Sequence, residues 1–576
     1  MEKNMKACRK CIYKNEVAKT YCNHCSLKSS NDIDALMELL DLFGNMDFSF
    51  DGNEDTPRDN APVDENPPVY GEAFTYPGII RISESWLQAW RSAANDPLYH
   101  KHGIILTNTE KCPENLKAAY KRLLDKFIAY KGRDSVKYCF LDLADRSVVT
   151  NSMEVPLNDP TFIVNVLRQI YNAAPIEYLM IIGDRDAVGS IKWENRAGDS
   201  DKYVDSDVPY VFLETESLFN GKPAGCSIRV GRVPATPASG FATAKIYIEN
   251  MMRLHKERRE LNTITLSAAE WGNLTRRVYS GISPYAYDCP PYSFIEGVGD
   301  YNISRDYPAD ILCFNLHGSP VHHTWVSGNG TAGINPASLP TSHDKLYVIG
   351  TEACYGAKPV IKNTSSQSML ITALRSRCLG FLGSTQIAYG ITDTMLANGY
   401  SPMSADVMVG KFADMVYNGY PLGDAYIEAW DAVSASSHSR DLENIKTLCS
   451  FALYGDPTAT LAMRGEMKIS NKGRGLKIHK PYVDPSARME KVSKDSIPLG
   501  RVNSFVRDNF PQCFGSGATV YKVTSSDGTS PYLISRSDNG GSEYKATYSN
   551  TKNNIDNVLH VYFNDMGEIS RAYISK

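Results

Sequence analysis

Two apolar runs in this chain end in residues able to do covalent chemistry. ILCFNL (311–316) runs into His317 and Gly318, and KLYVIG (345–350) runs into Thr351, Glu352, Ala353 and Cys354. Both runs read as strands, and in open parallel α/β sheets reactive groups gather just beyond the strands' carboxyl ends. A histidine and a cysteine at two neighbouring strand ends can face each other across a cleft, the arrangement of a thiol nucleophile served by an imidazole. The thiolate is the reactive form, and a nearby histidine manages its proton. Gly318 lets the backbone approach a substrate carbonyl closely. Its N–H and that of Cys354 are the expected oxyanion-hole donors. Most buried cysteines are inert packing residues; position at a strand end, paired with His317, singles out Cys354.

A second constellation lies at the start of the sequence. Cys8, Cys11, Cys22 and Cys25 form two C-x2-C pairs. Four thiolates so spaced can converge tetrahedrally on one structural zinc ion. A segment as short as 1–28 cannot build a sufficient core, so the metal would supply its folding energy. Seven Lys/Arg against two Glu give it a charge of +5, which suits an acidic protein or nucleic-acid partner. His322 and His323 have no acidic or cysteine cluster beside them in the sequence and read as loop residues at the mouth of a cleft.

The elements that must position these residues follow from hydrophobic patterning. Residues 29–71 form an acidic linker, eleven Asp/Glu against one Arg over 31–69. It contains a short amphipathic helix pattern at 32–43 followed by Gly/Pro/Asn/Asp-rich chain. Residues 72–257 alternate strand and helix patterns, with strands at HGIILT, VKYCFLDLA, IEYLMIIGD, VPYVFLE and CSIRVGRVPA and helices at 161–174 and about 237–257. Residues 258–465 resume the alternation. NTITLSAAE, DILCFNLHG, KLYVIGTEAC and LGFLGSTQIA are strands, and 366–377, 404–418, 422–435 and 442–453 are helical. This predicts an α/β unit with a largely parallel sheet flanked by helices. Residues 466–576 predict a separate small α+β domain, one helix with antiparallel strands.

The 576 residues carry 61 basic and 65 acidic side chains, a net charge of −4, so no global basic field recruits nucleic acid or a membrane. No run of 18 apolar residues is present to span a bilayer, and MEKNMKACRKC lacks the apolar core of a secretory signal. Thirteen thinly spread cysteines then fit reduced thiols and metal ligands better than disulfides, and the expected location is cytoplasmic.

The order of the blocks resembles the gingipain family of cysteine peptidases, within the caspase-like clan. The resemblance runs over roughly 175–463, through YLMIIGD, SDVPY, IRVGRVPA, LSAAE, LCFNLHGS, YVIGTEACYGA, LGFLGSTQ, SPMSADVM and ALYGDPTATL. It implies His317 as catalytic histidine, Cys354 as nucleophile, and Glu270, closing LSAAE, as the acid that orients the imidazole. The loop after Glu270, WGNLTRRVYSG, has no acid where the arginine-specific members carry one. Glu352, two residues before Cys354 and on the same side of an extended strand, is then the expected specificity acid. A buried carboxylate there favours Arg or Lys before the scissile bond, unless Arg276 or Arg277 neutralises it. The reading is an intracellular cysteine endopeptidase with a Cys-His dyad, acting on protein substrates and recruited or regulated through its terminal domains, with no cofactor needed for catalysis. The alternative is a catalytically idle zinc-ribbon adaptor that retains a peptidase-like scaffold. Arg58, the single basic residue of the acidic linker, is a candidate self-cleavage site.

Overall fold

The structure is a computed structural model. It describes residues 80–152, 155–213, 227–235, 241–253, 261, 263–282, 309–326, 332–339, 346–359, 368–436, 441–461, 488–494, 497, 499–514, 517–524, 543–552 and 555–576. The four amino-terminal cysteines, the acidic linker and Arg58 lie outside the described residues.

Among the described residues, nine strands form the central sheet: β1 (Lys101–Thr107), β2 (Val136–Asp142), β3 (Tyr178–Ile182), β4 (Arg229–Val233), β5 (Thr263–Ser267), β6 (Ile311–Asn315), β7 (Tyr347–Thr351), β8 (Cys378–Ser384) and, after a short strand β9 (Tyr389–Gly390), β10 (Phe451–Gly455). The order is β2-β1-β3-β4-β10-β8-β7-β6-β5. Every neighbouring pair is parallel except β10 with β8. The sheet is thus two parallel sets of opposite direction joined at one antiparallel seam. Strands such as β3 (YLMII) and β6 (ILCFN) are buried along their whole length, which explains their nearly unbroken apolar sequence.

Helices complete the α/β unit: α1 (Glu114–Arg133), α2 (Pro160–Ala173), α3 (Ala242–Arg253), α4 (Gly272–Tyr279), α5 (Met369–Arg375), α6 (Ala405–Tyr417), α7 (Leu422–Ser434) and α8 (Leu442–Ser450); the patterning predicts α2, α3 and α5 to α7, whereas α1 and α4 are helices it does not mark. Helix α2 shows why the boundaries fall where they do. Asp159 accepts from the Phe162 amide at 2.8 Å, and Pro160 opens the first turn. No helix among the described residues is long and apolar enough to cross a membrane.

Two sequence expectations are corrected. VPYVFLE does not form a strand: Val208–Phe212 is a short helix with proline in its first turn, ended by Leu213 in the left-handed region. The helix expected over 442–453 stops at Ser450, and FALYG becomes β10. An all-apolar run carries no periodicity that separates strand from helix, so the strand that joins the two halves of the sheet was hidden in the sequence.

Among the described residues, the carboxyl-terminal region contributes five strands to a six-stranded antiparallel sheet, β11 (Arg488–Lys491), β12 (Thr519–Thr524), β13 (Glu543–Lys552), β14 (Ile555–Asn564) and β15 (Ile569–Ser575), with helix α9 (Leu499–Asn509). Its order is β9-β15-β14-β13-β12-β11. The edge strand β9 comes from the α/β unit, immediately after β8. The segment PYLISRS lies outside the described residues.

Candidate active site

Strand register sets the geometry. Parallel pairing places Phe314 of β6 opposite Thr351 of β7. His317 and Cys354, each three residues further on, therefore leave the sheet side by side at the same depth. The Glu352 amide donates to the Phe314 carbonyl at 2.8 Å, just past the strand ends. Gly318 is pressed against the Cys354 backbone: a Cβ there would lie 1.7 Å from the Cys354 carbonyl oxygen. Any other residue would push the two loops apart.

β5 lies on the far side of β6, with Ser267 opposite Asn315. Three residues on, Glu270 bonds the His317 ring, its Oε1 3.0 Å from Nε2. Burial alone would raise the Glu270 carboxyl, but His317 outweighs it and holds the group below its ordinary range. With Nε2 engaged, Nδ1 of His317 is buried without a hydrogen-bond partner. The Trp271 ring packs on the imidazole, with centroids 4.4 Å apart.

Cys354 is buried, and burial pushes its thiol up to about 12, with the Ala388 amide opposing. The sulfur meets Ala388 twice, donating to its carbonyl at 3.5 Å and accepting from its amide at 3.3 Å. The thiol is accordingly neutral and turned towards Ala388.

Beside these residues lies a closed polar pocket, and a lysine fills it. The Lys576 ammonium is 2.6 Å from Asp406 Oδ1, 2.8 Å from Glu352 Oε2 and 3.0 Å from Asn315 Oδ1. Its three N–H donors thus meet three acceptors. It also stands 4.6 Å from the Trp271 ring centroid. Glu352 Oε1 accepts from the Tyr279 hydroxyl at 2.7 Å. Asp406 Oδ2 accepts from the Ile391 and Met403 amides. Asn315 is oriented by donating to Thr275 on α4. Burial would lower the Lys576 ammonium, but Asp406 and Glu352 together keep it above its ordinary range. Burial pushes the Glu352 carboxyl upward; Lys576 opposes this and Asp406 adds to it.

Sequence reasoning placed Glu352 here but missed its partners. The cation beside Glu352 is Lys576, and Arg276 instead bonds Asn273. Asn315 had a readable signal, an amide inside the apolar run ILCFN. Asp406, within SPMSADVM, sits in the first turn of a helix, where an acid needs no special explanation. Lys576 carried no signal at all. Of the two loop histidines, His322 is exposed and His323 buried, and no group of three potential metal ligands occurs among the described residues.

No protein-family model and no curated protein matches the sequence. Solved structures similar to it include the Arg-specific cysteine proteinase gingipain R, at 13% identity and TM-score 0.45 over 83% of this chain and 93% of that one. A complex of the Porphyromonas gingivalis RgpB pro- and mature domains is similar at 12% identity and TM-score 0.42, over 82% and 93%. A third structure, described as a protease, is similar at 11% identity and TM-score 0.41, over 81% and 98%.

Proposed function

We propose that the chain is a cysteine endopeptidase that cleaves after a basic residue, lysine in preference to arginine. The observation that carries this reading is the seating of His317, Glu270 and Cys354 at adjoining strand ends, with the imidazole tied at Nε2 and unpartnered at Nδ1. In this mechanism Cys354 Sγ attacks the scissile carbonyl carbon. His317 Nδ1 takes the thiol proton and delivers it to the leaving amine. Glu270 fixes the ring orientation and supports the imidazolium as it forms. The Cys354 amide, with that of Gly318, receives the developing oxyanion. Water then hydrolyses the thioester with His317 as base.

Specificity in this reading comes from Glu352, Asp406 and Asn315. Three converging acceptors match the three N–H bonds of an ammonium, whereas a planar guanidinium presents a wider fork. From their spacing, Cys8, Cys11, Cys22 and Cys25 are proposed to bind one structural zinc ion, forming a module that recruits or regulates the enzyme and takes no part in catalysis.

The test is hydrolysis of acyl-lysyl and acyl-arginyl amides at substrate concentrations into the millimolar range. Activity should be present in the wild type and abolished by Cys354→Ala, with His317→Ala close behind because the two act as one unit. Hydrolysis that survives Cys354→Ala would overturn the mechanism.

A further inference from the structure

We infer that the cleft is a binding site for an extended peptide that presents lysine, and that the chain's own segment Ile574–Lys576 occupies it, holding the site closed. The inference rests on the peptidase reading for its meaning but on separate contacts for its geometry.

Four contacts define the occupancy. β15 adds antiparallel to β9, with Ser575 opposite Tyr389 and Ile574 opposite Gly390. The Lys576 amide donates to the Ala388 carbonyl at 3.0 Å, continuing that ladder by one residue. The Lys576 carbonyl oxygen accepts from the Cys354 amide at 2.9 Å. The side chain enters the pocket of Glu352, Asp406 and Asn315. Main-chain pairing with an exposed edge, plus a pocket for one side chain, is how peptides are recognised by strand addition. A lysine serving only to neutralise a buried acid pair would have no need to place its carbonyl on the nucleophile's amide.

The segment is held there by buried ion pairs and hydrogen bonds that join its own sheet to the α/β unit. Arg571 of β15 pairs with Asp441 at 2.6 Å and with Glu543 at 2.7 Å. Lys545 of β13 pairs with Glu443 of α8 at 2.9 Å, both fully buried. Lys446 of α8 lies between Asp199 and Asp201, at 2.5 and 2.6 Å. Tyr389 of β9 donates to Asp199 and meets His560 of β14 at 3.1 Å. Breaking one partner out of such buried pairs is strongly destabilising, so the sheet presents β15 to the cleft as a fixed ligand. Tethered in this way, it competes with substrate at an effective concentration of about millimolar or more. The state of the thiol agrees, since Cys354 is bonded to Ala388 and His317 Nδ1 is unpartnered.

The experiment compares the wild type with two vacated forms, a chain ending at Ile574 and full-length Lys576→Glu. The latter would set a third carboxylate against Glu352 and Asp406. The probes are a fluorophore-labelled Arg-Ala-Tyr-Ile-Ser-Lys peptide, matching 571–576, and an acyl-lysyl amide substrate. Both vacated forms should bind the peptide about tenfold or more tightly than the wild type, and their kcat/KM on the lysyl amide should rise by a similar factor. Equal peptide binding by wild type and vacated forms, or no binding by either vacated form, overturns the inference. Tighter peptide binding by the vacated forms, with no hydrolysis in any form, supports the occupancy and overturns the peptidase reading instead.

Discussion

The backbone amide of Cys354 donates to the carbonyl oxygen of Lys576 at 2.9 Å, while the same lysine's side chain is bonded to Glu352, two residues before that cysteine. One residue is thus gripped at carbonyl and side chain by a single short loop after β7. The spacing between Glu352 and Cys354 sets the distance between the cation pocket and the Lys576 carbonyl. In the proposed peptidase, the same grip on a substrate lysine would fix the position of the bond to be cut.

Glu352→Gln tests that grip and has a signed pH dependence. Burial raises the Glu352 carboxyl, Asp406 raises it further, and a bound lysine cation lowers it. Lysine binding in a vacated pocket therefore releases a proton from Glu352. By linkage, affinity for a lysyl peptide rises as pH increases through the raised Glu352 pKa and falls on acidification. In the chain ending at Ile574, Glu352→Gln should weaken lysyl-peptide binding on the order of 10²-fold at neutral pH. It should also flatten the pH dependence, read by titration of the labelled peptide at several pH values. A variant that keeps the slope of the chain ending at Ile574 would show that another group releases the proton.

Zinc removal tests the proposed division into an amino-terminal zinc module and a catalytic body. One equivalent of zinc should accompany the full-length protein, and none a chain beginning at residue 72. The shortened chain should hydrolyse lysyl amides at the full-length rate. Metal analysis alongside kinetics decides the matter, and a folded but inactive shortened chain would place the module inside the active machinery.

How much of this was legible depended on whether the signal was local. The strand ends at His317 and Cys354 were readable because chain punctuation marks them, an apolar run halted by His-Gly or by Glu-Ala-Cys. Glu352 was readable through its period-two relation to Cys354. The remaining pocket was not. Asp406 arrives from a helix beyond β8, and Lys576 from the far end of the chain through pairing of β15 with β9. No local pattern encodes a contact made only when a strand that follows β8 joins the carboxyl-terminal sheet. β10 was missed for the opposite reason: FALYG is too uniformly apolar to declare its period. Its pairing with both β4 and β8 is what makes one sheet out of two parallel sets.

Gly390 supplies the last prediction, because it guards the route into the pocket. A Cβ built there would lie 2.3 Å from Lys576 Cε, 2.9 Å from its ammonium and 2.6 Å from Asp406 Oδ1. Neither an incoming lysine side chain nor the Asp406 carboxylate tolerates that approach without moving. Gly390→Ala should consequently exclude lysine from the pocket, whether it belongs to a substrate or to residue 576. The two effects have opposite consequences for the thiol. Hydrolysis of lysyl amides should fall about tenfold or more, in keeping with an overpacked contact. Expulsion of Lys576 should uncover Cys354, whose thiol burial pushes up to about 12 in the occupied site. With that burial relieved, its pKa falls towards the ordinary value, and more thiolate is present at any pH below about 12. Alkylation of Cys354 by iodoacetamide at neutral pH, followed by mass spectrometry of the peptide that contains it, should become faster than in wild type. Faster alkylation together with slower lysyl hydrolysis is the expected pair of outcomes. A parallel fall in both would mean that the substitution damages the site without vacating it.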